Sequence, residues 1–500
     1  MDIAISAIGL ATAQGGTADI AGGSALRAAE RWPWPVNGWS TSQWCYPAVG
    51  VSSSLNGIAR WRALVRLALK DCFMDQPPSR KTPLFIASCN GSAHAFDAES
   101  WSQAFDSVAL LETTSWSGQR LPVFSSSCNS GLHALYAARQ VLLSGQADEV
   151  VVLAADILSR SNQDNFEGLR VLTDSPMLPW QPNSTGFILG EAAVAMKLVR
   201  ENGVANRVRL AGPVLANELG RDDGLRRALA QLLPAKPQLL LGQGTGPFAN
   251  DQSELAAFQH FVAPDVPLAT SLVHFGHTLG ASGLLSLALA ALIQRSPQAL
   301  SALAMPTAYA SDGRSLNTRT NSGNGVSYNA AEINNVLISC RALDGSCAAA
   351  AVVDNTIKSA VLEHGQQDRE PAKAWSAPEP TGPLMNSLLR RLAGEATRHR
   401  PIDPPDVLVV KLEEPLAPPP QATIGGRLLP SSVLEMTPGF VSQLIARCWG
   451  FAGPALCLVG QASANEAAWD LAAAFDGLGL VTAQVDLRGT GDKREIAWNN

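Results

Sequence analysis

The sequence has no block of Lys and Arg, no Cys-x-x-Cys pair and no apolar run long enough to cross a bilayer. Each absence excludes something. Without a basic block, and with a net charge of −6, the chain is not expected to bind nucleic acid. Eight cysteines (Cys45, Cys72, Cys89, Cys128, Cys340, Cys347, Cys448 and Cys457) are dispersed along it. In a chain of 500 residues that points to reduced thiols in a cytoplasmic protein rather than a disulfide framework. The seven histidines form no cluster beyond His274 and His277. Gly276 between those two works against a shared helix face, so no metal site is expected and zinc is the minor reading. Leu284–Ile293, the longest apolar stretch of interest, is too short for a membrane span. Met1-Asp2-Ile3 lacks the basic start of an export signal. What is present is a globular composition, 46% hydrophobic against 16% charged residues, over a length that suggests more than one domain.

The chain is organised around Phe124–Gly145. A short extended run, Leu121–Phe124, meets small polar residues and then Cys128. Apolar residues at Leu132, Leu135, Ala138 and Leu142 then follow the 3.6-residue period of a helix, and Gly145 stands at its expected stop. Cys128 therefore falls on a strand-to-helix turn, where unpaired backbone N–H groups favour an anion and lower a thiol pKa. A nucleophile and a small buried cysteine both fit this turn. A second site-like turn, Gly276-His277-Thr278-Leu279-Gly280-Ala281-Ser282-Gly283, opens another apolar helix 149 residues downstream.

Between these landmarks strands alternate with helices, which gives an α/β class. Residues 1–12 read as a buried strand and turn, Gly57–Cys72 as an amphipathic helix, Leu84–Ala87 as a short strand. Val150–Ala155 and Ala192–Leu198 read as strands buried on both faces. Leu239–Gly242 leads into a loop at Gln243, Gln252–Phe261 is helical, and Ser282–Ile293, apolar nearly all round, reads as a central helix. Asn335–Ser339 is read as the last strand of the unit. Gln366–Pro383 carries charge and prolines and reads as a linker. Beyond it Leu384–Ala396 is helical and Val407–Leu412 is a strand. The end of the chain echoes the beginning. Trp116 precedes Cys128 by twelve residues and Trp449 precedes Gln461 by twelve. A helix, Asn465–Phe475, and the run Leu480–Val485 with Asp486 then parallel Val150–Ala155 with Asp156.

Over roughly residues 1–340 the sequence resembles the β-ketoacyl synthases, condensing enzymes of the thiolase fold. The resemblance rests on an ordered set of motifs: Ile3–Gly9 with Leu10-Ala11-Thr12, Ser127-Cys128-Asn129-Ser130-Gly131, Pro179-Trp180-Gln181-Pro182, and Gly186-Phe187-Ile188-Leu189-Gly190-Glu191-Ala192. Gln243-Gly244-Thr245-Gly246 is similar to the family's His-Gly-Thr-Gly loop, with Asn250-Asp251 and Glu254 behind it. Asn321-Ser322 and Asn329-Ala330 bracket a position like its last catalytic loop. The resemblance implies a layered α-β-α-β-α fold in residues 1–342, a transition and linker over 343–383, and a partial amino-terminal half of a second such unit over 384–500. That half has no cysteine in its nucleophile loop. A glutamine in this position resembles the chain-length-factor partners of some ketosynthases.

The family's chemistry, carried over, makes Cys128 the acyl-accepting nucleophile. The His277 ring N–H would then donate to a thioester carbonyl or polarise the thiol. The amides of Cys128 and Gly325 would be the oxyanion donors. Several family features are altered. The first family histidine is Gln243, which can donate a hydrogen bond but cannot carry a proton. The family's lysine is Leu272 and its glutamate partner is Ser286, a joint loss that strands no buried charge. The aromatic gate is Gly323-Asn324-Gly325. These changes imply a ketosynthase-like acyltransferase of fatty-acid or polyketide-type biosynthesis with altered condensation, as in non-elongating ketosynthases. The implied partner is an acyl carrier protein, with no cofactor beyond its phosphopantetheine arm. The assembly is either a pseudo-dimer within one chain or a homodimer, and another ketosynthase-like subunit is a further partner. The alternative is a non-catalytic, chain-length-factor-like partner of a separate ketosynthase.

Overall fold

A computed structural model describes residues 2–32, 43–74, 76–91, 104–201, 208–219, 223–232, 237–246, 248–261, 266–304, 333–342, 344–353, 387–416, 423–424, 427–428, 437–460, 469–489 and 494–499. In it the apolar runs of the sequence build one five-strand arrangement twice and, among the described residues, four strands of it a third time. The first copy comprises β1 (Ile3–Thr12), β2 (Leu84–Ala87), β3 (Val123–Phe124), β4 (Glu149–Asp156) and β5 (Ala192–Arg200). In space they run β1-β5-β4-β2-β3, with β2 parallel to β3 and β4, and β5 antiparallel to β4 and β1.

The second copy repeats that order and those directions. It comprises β6 (Val208–Asn217), β7 (Leu239–Leu241), β8 (Leu268–Ala269), β9 (Val336–Arg341) and β10 (Ser346–Val353), arranged β6-β10-β9-β7-β8. The third comprises β11 (Val407–Leu412), β12 (Ala455–Val459), β13 (Thr482–Arg488) and β14 (Glu495–Asn499), arranged β12-β11-β13-β14. Among the described residues it has no counterpart of β1. Two edge pairings join the copies into one 14-stranded sheet. β1 meets β6 at Ala4–Arg209 and Ile5–Val208, and β3 meets β12 antiparallel at Phe124–Leu458 and Val123–Val459.

The helices explain why these strands are apolar on both faces. α1 (Gly57–Phe73) lies on β1 and β5. α2 (Ser130–Leu143) follows β3, and, after α3 (Phe248–Phe261), α4 (Ser282–Arg295) follows β8. α2 and α4 thus hold equivalent places in copies one and two. Each touches strands of both copies, and they pack on each other. Glycine permits that contact. A Cβ on Gly131 would lie 2.9 Å from Leu284 Cβ, and one on Gly283 would lie 2.7 Å from Leu132 Cδ1. Copy three carries α5 (Ser387–Arg398), α6 (Pro438–Trp449) and α7 (Leu471–Gly477), and α7 packs against α2.

Three sequence expectations shift. Ser346–Val353 lies beyond residue 342, where the sequence ends the first unit, yet it pairs between β9 and β6 inside that unit's sheet. Its Ala348–Ala351 run has little strand signature of its own. It is a strand because every residue in it is buried by neighbours on both sides. The echo of Asp156 falls one residue later than Asp486. Ala87 pairs with Phe124 and Ala154, and its counterpart Val410 pairs with Cys457 and Val485, so Leu487 stands where Asp156 does. Of the helix expected over Asn465–Phe475, residues 465–468 lie outside the described residues, and the described helix runs over Leu471–Gly477. Gln461, the linker Gln366–Pro383, the gate Gly323-Asn324-Gly325 with the oxyanion donor expected at Gly325, and the flanking Asn321-Ser322 and Asn329-Ala330 lie outside the described residues.

Candidate active site

The two central helices begin at one cavity of about 180 Å³, and Cys128, Gln243 and His277 all line it. Its apolar wall is Phe166, Val171 and Phe187.

The turn before α2 is built by its serines. Ser127 has φ +45, a left-handed conformation that a non-glycine residue holds only when its surroundings enforce it. Here its hydroxyl donates to Asp344 Oδ2 at 2.9 Å, and its carbonyl accepts from Ser130 Oγ at 2.6 Å. Asn129 donates from Nδ2 to Ser346 O at 2.8 Å, tying the turn to β10. Cys128 is left 3% exposed at the mouth of α2.

His277 is gripped by the segment that precedes β5. Its N–H donates to Ile188 O at 2.8 Å and its carbonyl accepts from Gly190 N at 3.1 Å. Phe187 stacks on its ring with centroids 4.5 Å apart. A Cβ on Gly190 would sit 1.9 Å from Phe275 O, so this approach requires glycine. Burial pushes the imidazole down to about 4, so it is neutral at pH 7. Nδ1 accepts from the Leu279 amide at 3.3 Å, which assigns the proton to Nε2. His277 is therefore arranged as a hydrogen-bond donor rather than a base.

Asp156, at the end of β4, anchors this loop to the one after β2. It accepts from Ser88 Oγ (2.6 Å), the Cys89 amide (2.9 Å), the Asn90 amide (3.3 Å) and the Gly280 amide (2.7 Å). Burial still outweighs those donors and raises its carboxyl to about 6. Cys89 is buried in this network, as a structural cysteine would be.

Gln243 follows β7 and uses both ends of its amide. Oε1 accepts from the Arg341 amide at 2.8 Å, and Nε2 points at Cys340 Sγ, 2.8 Å away. Its loop hangs on acids from α3. Glu254 accepts from the amides of Gln243 and Gly244, both at 2.9 Å, from Trp180 Nε1 at 2.9 Å and from Ser339 Oγ at 2.8 Å. Asp251 accepts from the amides of Trp180 and Gly246, both at 2.7 Å. Leu272 and Ser286 are both buried, Leu272 in the apolar cluster with Phe166 and Phe187.

The hairpin between β9 and β10 also reaches the cavity, through Arg341, Ala342 and Gly345, and so do Glu218 and Arg447. Sequence reading singled out none of these. Arg341 and the hairpin carry a faint signal, since they end a strand beside the Gln243 loop. Arg447 carries none, because it belongs to α6 and reaches the cavity only through the docking of copy three. Among the described residues no group of three or more His, Cys, Asp or Glu is placed to hold a metal, and no helix is long and apolar enough to cross a membrane.

Comparison with known proteins adds to this geometry. Residues 120–202 match the family model of the β-ketoacyl synthase N-terminal domain, a stretch that includes Cys128 and α2. No curated protein matches the sequence. Among solved structures, the PfaC keto synthase–chain length factor superposes with a TM-score of 0.69 at 11% identity, covering 97% of this chain and 74% of that one. A type II polyketide synthase ketosynthase, bound to a hexaketide and in complex with its acyl-carrier protein, superposes with a TM-score of 0.55 at 16% identity, covering 70% of this chain and 98% of that one. The ketosynthase of module 6 of the bacillaene synthase from Bacillus subtilis 168 gives a TM-score of 0.54 at 14% identity, covering 70% and 72%. The resemblance to the β-ketoacyl synthases thus holds, with their thiolase-like fold.

Proposed function

On the premise of that ketosynthase architecture, we propose that this protein is an acyltransferase that forms an acyl-thioester on Cys128 from carrier-bound acyl groups. The observation that carries the reading is the meeting of Cys128, at the start of α2, with His277, whose Nε2 carries the proton, in one cavity with an apolar wall of Phe166, Val171 and Phe187. The Cys128 sulfur attacks the thioester carbonyl. The His277 Nε2–H and the Cys128 amide are the donors proposed for the developing oxyanion. The bond from the acyl carbon to the carrier sulfur then breaks, and the thiol proton of Cys128 ends on the departing carrier thiol. The donor is an acyl group on the phosphopantetheine arm of an acyl carrier protein, and no other cofactor is involved. Gln243 in place of a second histidine leaves transfer possible and weakens decarboxylative condensation, since an amide cannot take positive charge.

Copy three has the part of a built-in partner, in the manner of the chain length factors that accompany some solved ketosynthases. The chain-length-factor reading of the whole protein is disfavoured by the retained Cys128 and His277. Intact mass after incubation with acyl-carrier thioesters tests the proposal. A stable adduct absent in Cys128→Ala supports it, and no adduct with any donor rejects it.

A further inference from the structure

The turn that carries Cys128 is held from two sides. From copy two, Asp344 Oδ2 accepts the Ser127 hydroxyl and Asp344 Oδ1 accepts the Ser346 amide, both at 2.9 Å. From copy three, Cys457 O accepts the Ser125 N–H at 3.0 Å. α6 begins directly on the same turn. A Cβ on its Gly439 would lie 2.6 Å from Ser126 Cα, 3.0 Å from Ser125 O and 2.6 Å from Asp344 Oδ2. Further along that helix, Arg447 donates to Asp344 O at 2.8 Å. Gly345 lets the guanidinium through. Its backbone has φ +93, and a Cβ there would run into Arg447 Nη2.

Asp344 is therefore clamped by α6 at its carbonyl and beside its carboxylate. It is 1% exposed. Burial above all raises its carboxyl, while the Ser346 amide, the Ser127 hydroxyl and the Arg447 guanidinium act against that rise. What Asp344 holds is a conformation that Ser127 does not favour by itself. At φ +45 a serine stays put only while its surroundings enforce it. Cys128 is the next residue, so any relaxation of Ser127 moves the sulfur relative to His277.

We propose that Asp344 is a positioning residue for Cys128, and that copy three, by clamping Asp344, sets the aim of the nucleophile. The proposal rests on acylation at Cys128 and deepens it. It gives copy three a part in the reaction itself, since the turn keeps its strained form only with α6 docked on it.

The test follows acylation of the full chain by butyryl-pantetheine, read by intact mass over a range of donor concentrations. Asp344→Ala should slow acylation at saturating donor by up to ~100-fold, as a small misplacement of a reacting group can, and leave the half-saturating concentration little changed. Asp344→Asn should keep most of the rate, because its amide still pairs with the Ser127 hydroxyl and the Ser346 N–H. Adding Ser127→Gly to Asp344→Ala should restore the rate, since glycine holds φ +45 unaided, whereas adding Ser127→Ala should not. An unchanged rate in Asp344→Ala, or a loss that Ser127→Gly leaves in place, overturns the proposal. Arg447→Ala should also slow acylation, but should cost nothing more when added to Asp344→Ala. Losses that multiply would show Arg447 acting elsewhere and overturn the part given to copy three. If no donor labels Cys128 in the wild type, the acyltransferase reading falls by itself. The rate of Cys128 alkylation by iodoacetamide, relative to Cys448, then decides the positioning. A ratio lower in Asp344→Ala than in Asp344→Asn, and recovered by Ser127→Gly, sustains it; equal ratios end it.

Discussion

Phe124 of β3 stands opposite Leu458 of β12. The alignment that sets Trp116 on Trp449 turns this pair into Cys457 opposite Ser125, and that is the next rung: the Ser125 N–H donates to Cys457 O at 3.0 Å. The two strands therefore meet about a pseudo-two-fold axis inside one chain. The equivalent tryptophans are held alike, Trp116 Nε1 on Thr82 O and Trp449 Nε1 on Ala396 O, both at 2.8 Å.

Copy three thus covers the β3 edge of copy one through β12. We expect a monomer by light scattering. A 1–353 truncation should dimerise or aggregate, since it bares the β3 edge and the apolar surface under copy three. A full-length dimer whose size per chain is unaffected by the deletion would show that copy three does not fill the partner's place.

Asp156 should leave a signature in stability against pH. Its folded pKa is raised to about 6 by burial, from an ordinary 3.8. The sign follows: its contribution is fully present below the unfolded value and is lost as pH rises through about 6. Two units correspond to about 3 kcal/mol. Asp156→Asn removes the titration. Although it lowers stability by losing acceptors, its deficit relative to wild type should shrink between pH 4 and pH 7.5. Thermal melts at the two pH values that move in parallel would contradict this.

Gln243→His supplies the imidazole that the proposed reading finds missing for decarboxylation. Imidazole contributions of this kind are typically ~10²–10⁴-fold, and a gain of that order in carbon dioxide release from malonyl-carrier thioester is expected. An unchanged rate in a variant that still folds and acylates would place the block at Leu272 and Ser286 instead.

Thiol labelling should single out two residues. Cys128 opens on the cavity, and Cys448 alone among the cysteines is only half buried. Burial, the largest cause, raises the Cys448 thiol above its usual value. Limiting iodoacetamide, read by peptide mapping, should mark Cys128 first and Cys448 next, and prior acylation should protect Cys128 only. Protection of Cys448, or first labelling of a cysteine outside the cavity such as Cys89, would count against the assignment of the nucleophile.

The sequence by itself determined the elements and their kind. Val407–Leu412 is a strand with the bounds its apolar run suggests, and Gly57–Phe73 is a helix within one residue of its periodic stretch. Local patterning could do this because burial on both faces, or on one helical stripe, is written into residue type. The turns at Cys128 and His277 were legible for the same reason, since small residues and a helix start mark them. Tertiary structure decided the rest. Ser346–Val353 is a strand only because β9 and β6 flank it. The tautomer of His277 depends on one amide, that of Leu279, which the fold turns toward Nδ1. Arg447 joins the Cys128 cavity across more than 300 residues of chain. No local pattern encodes that meeting, because it arises from the antiparallel edge pairing of β3 with β12, and an edge pairing depends on which strand reaches the edge in three dimensions.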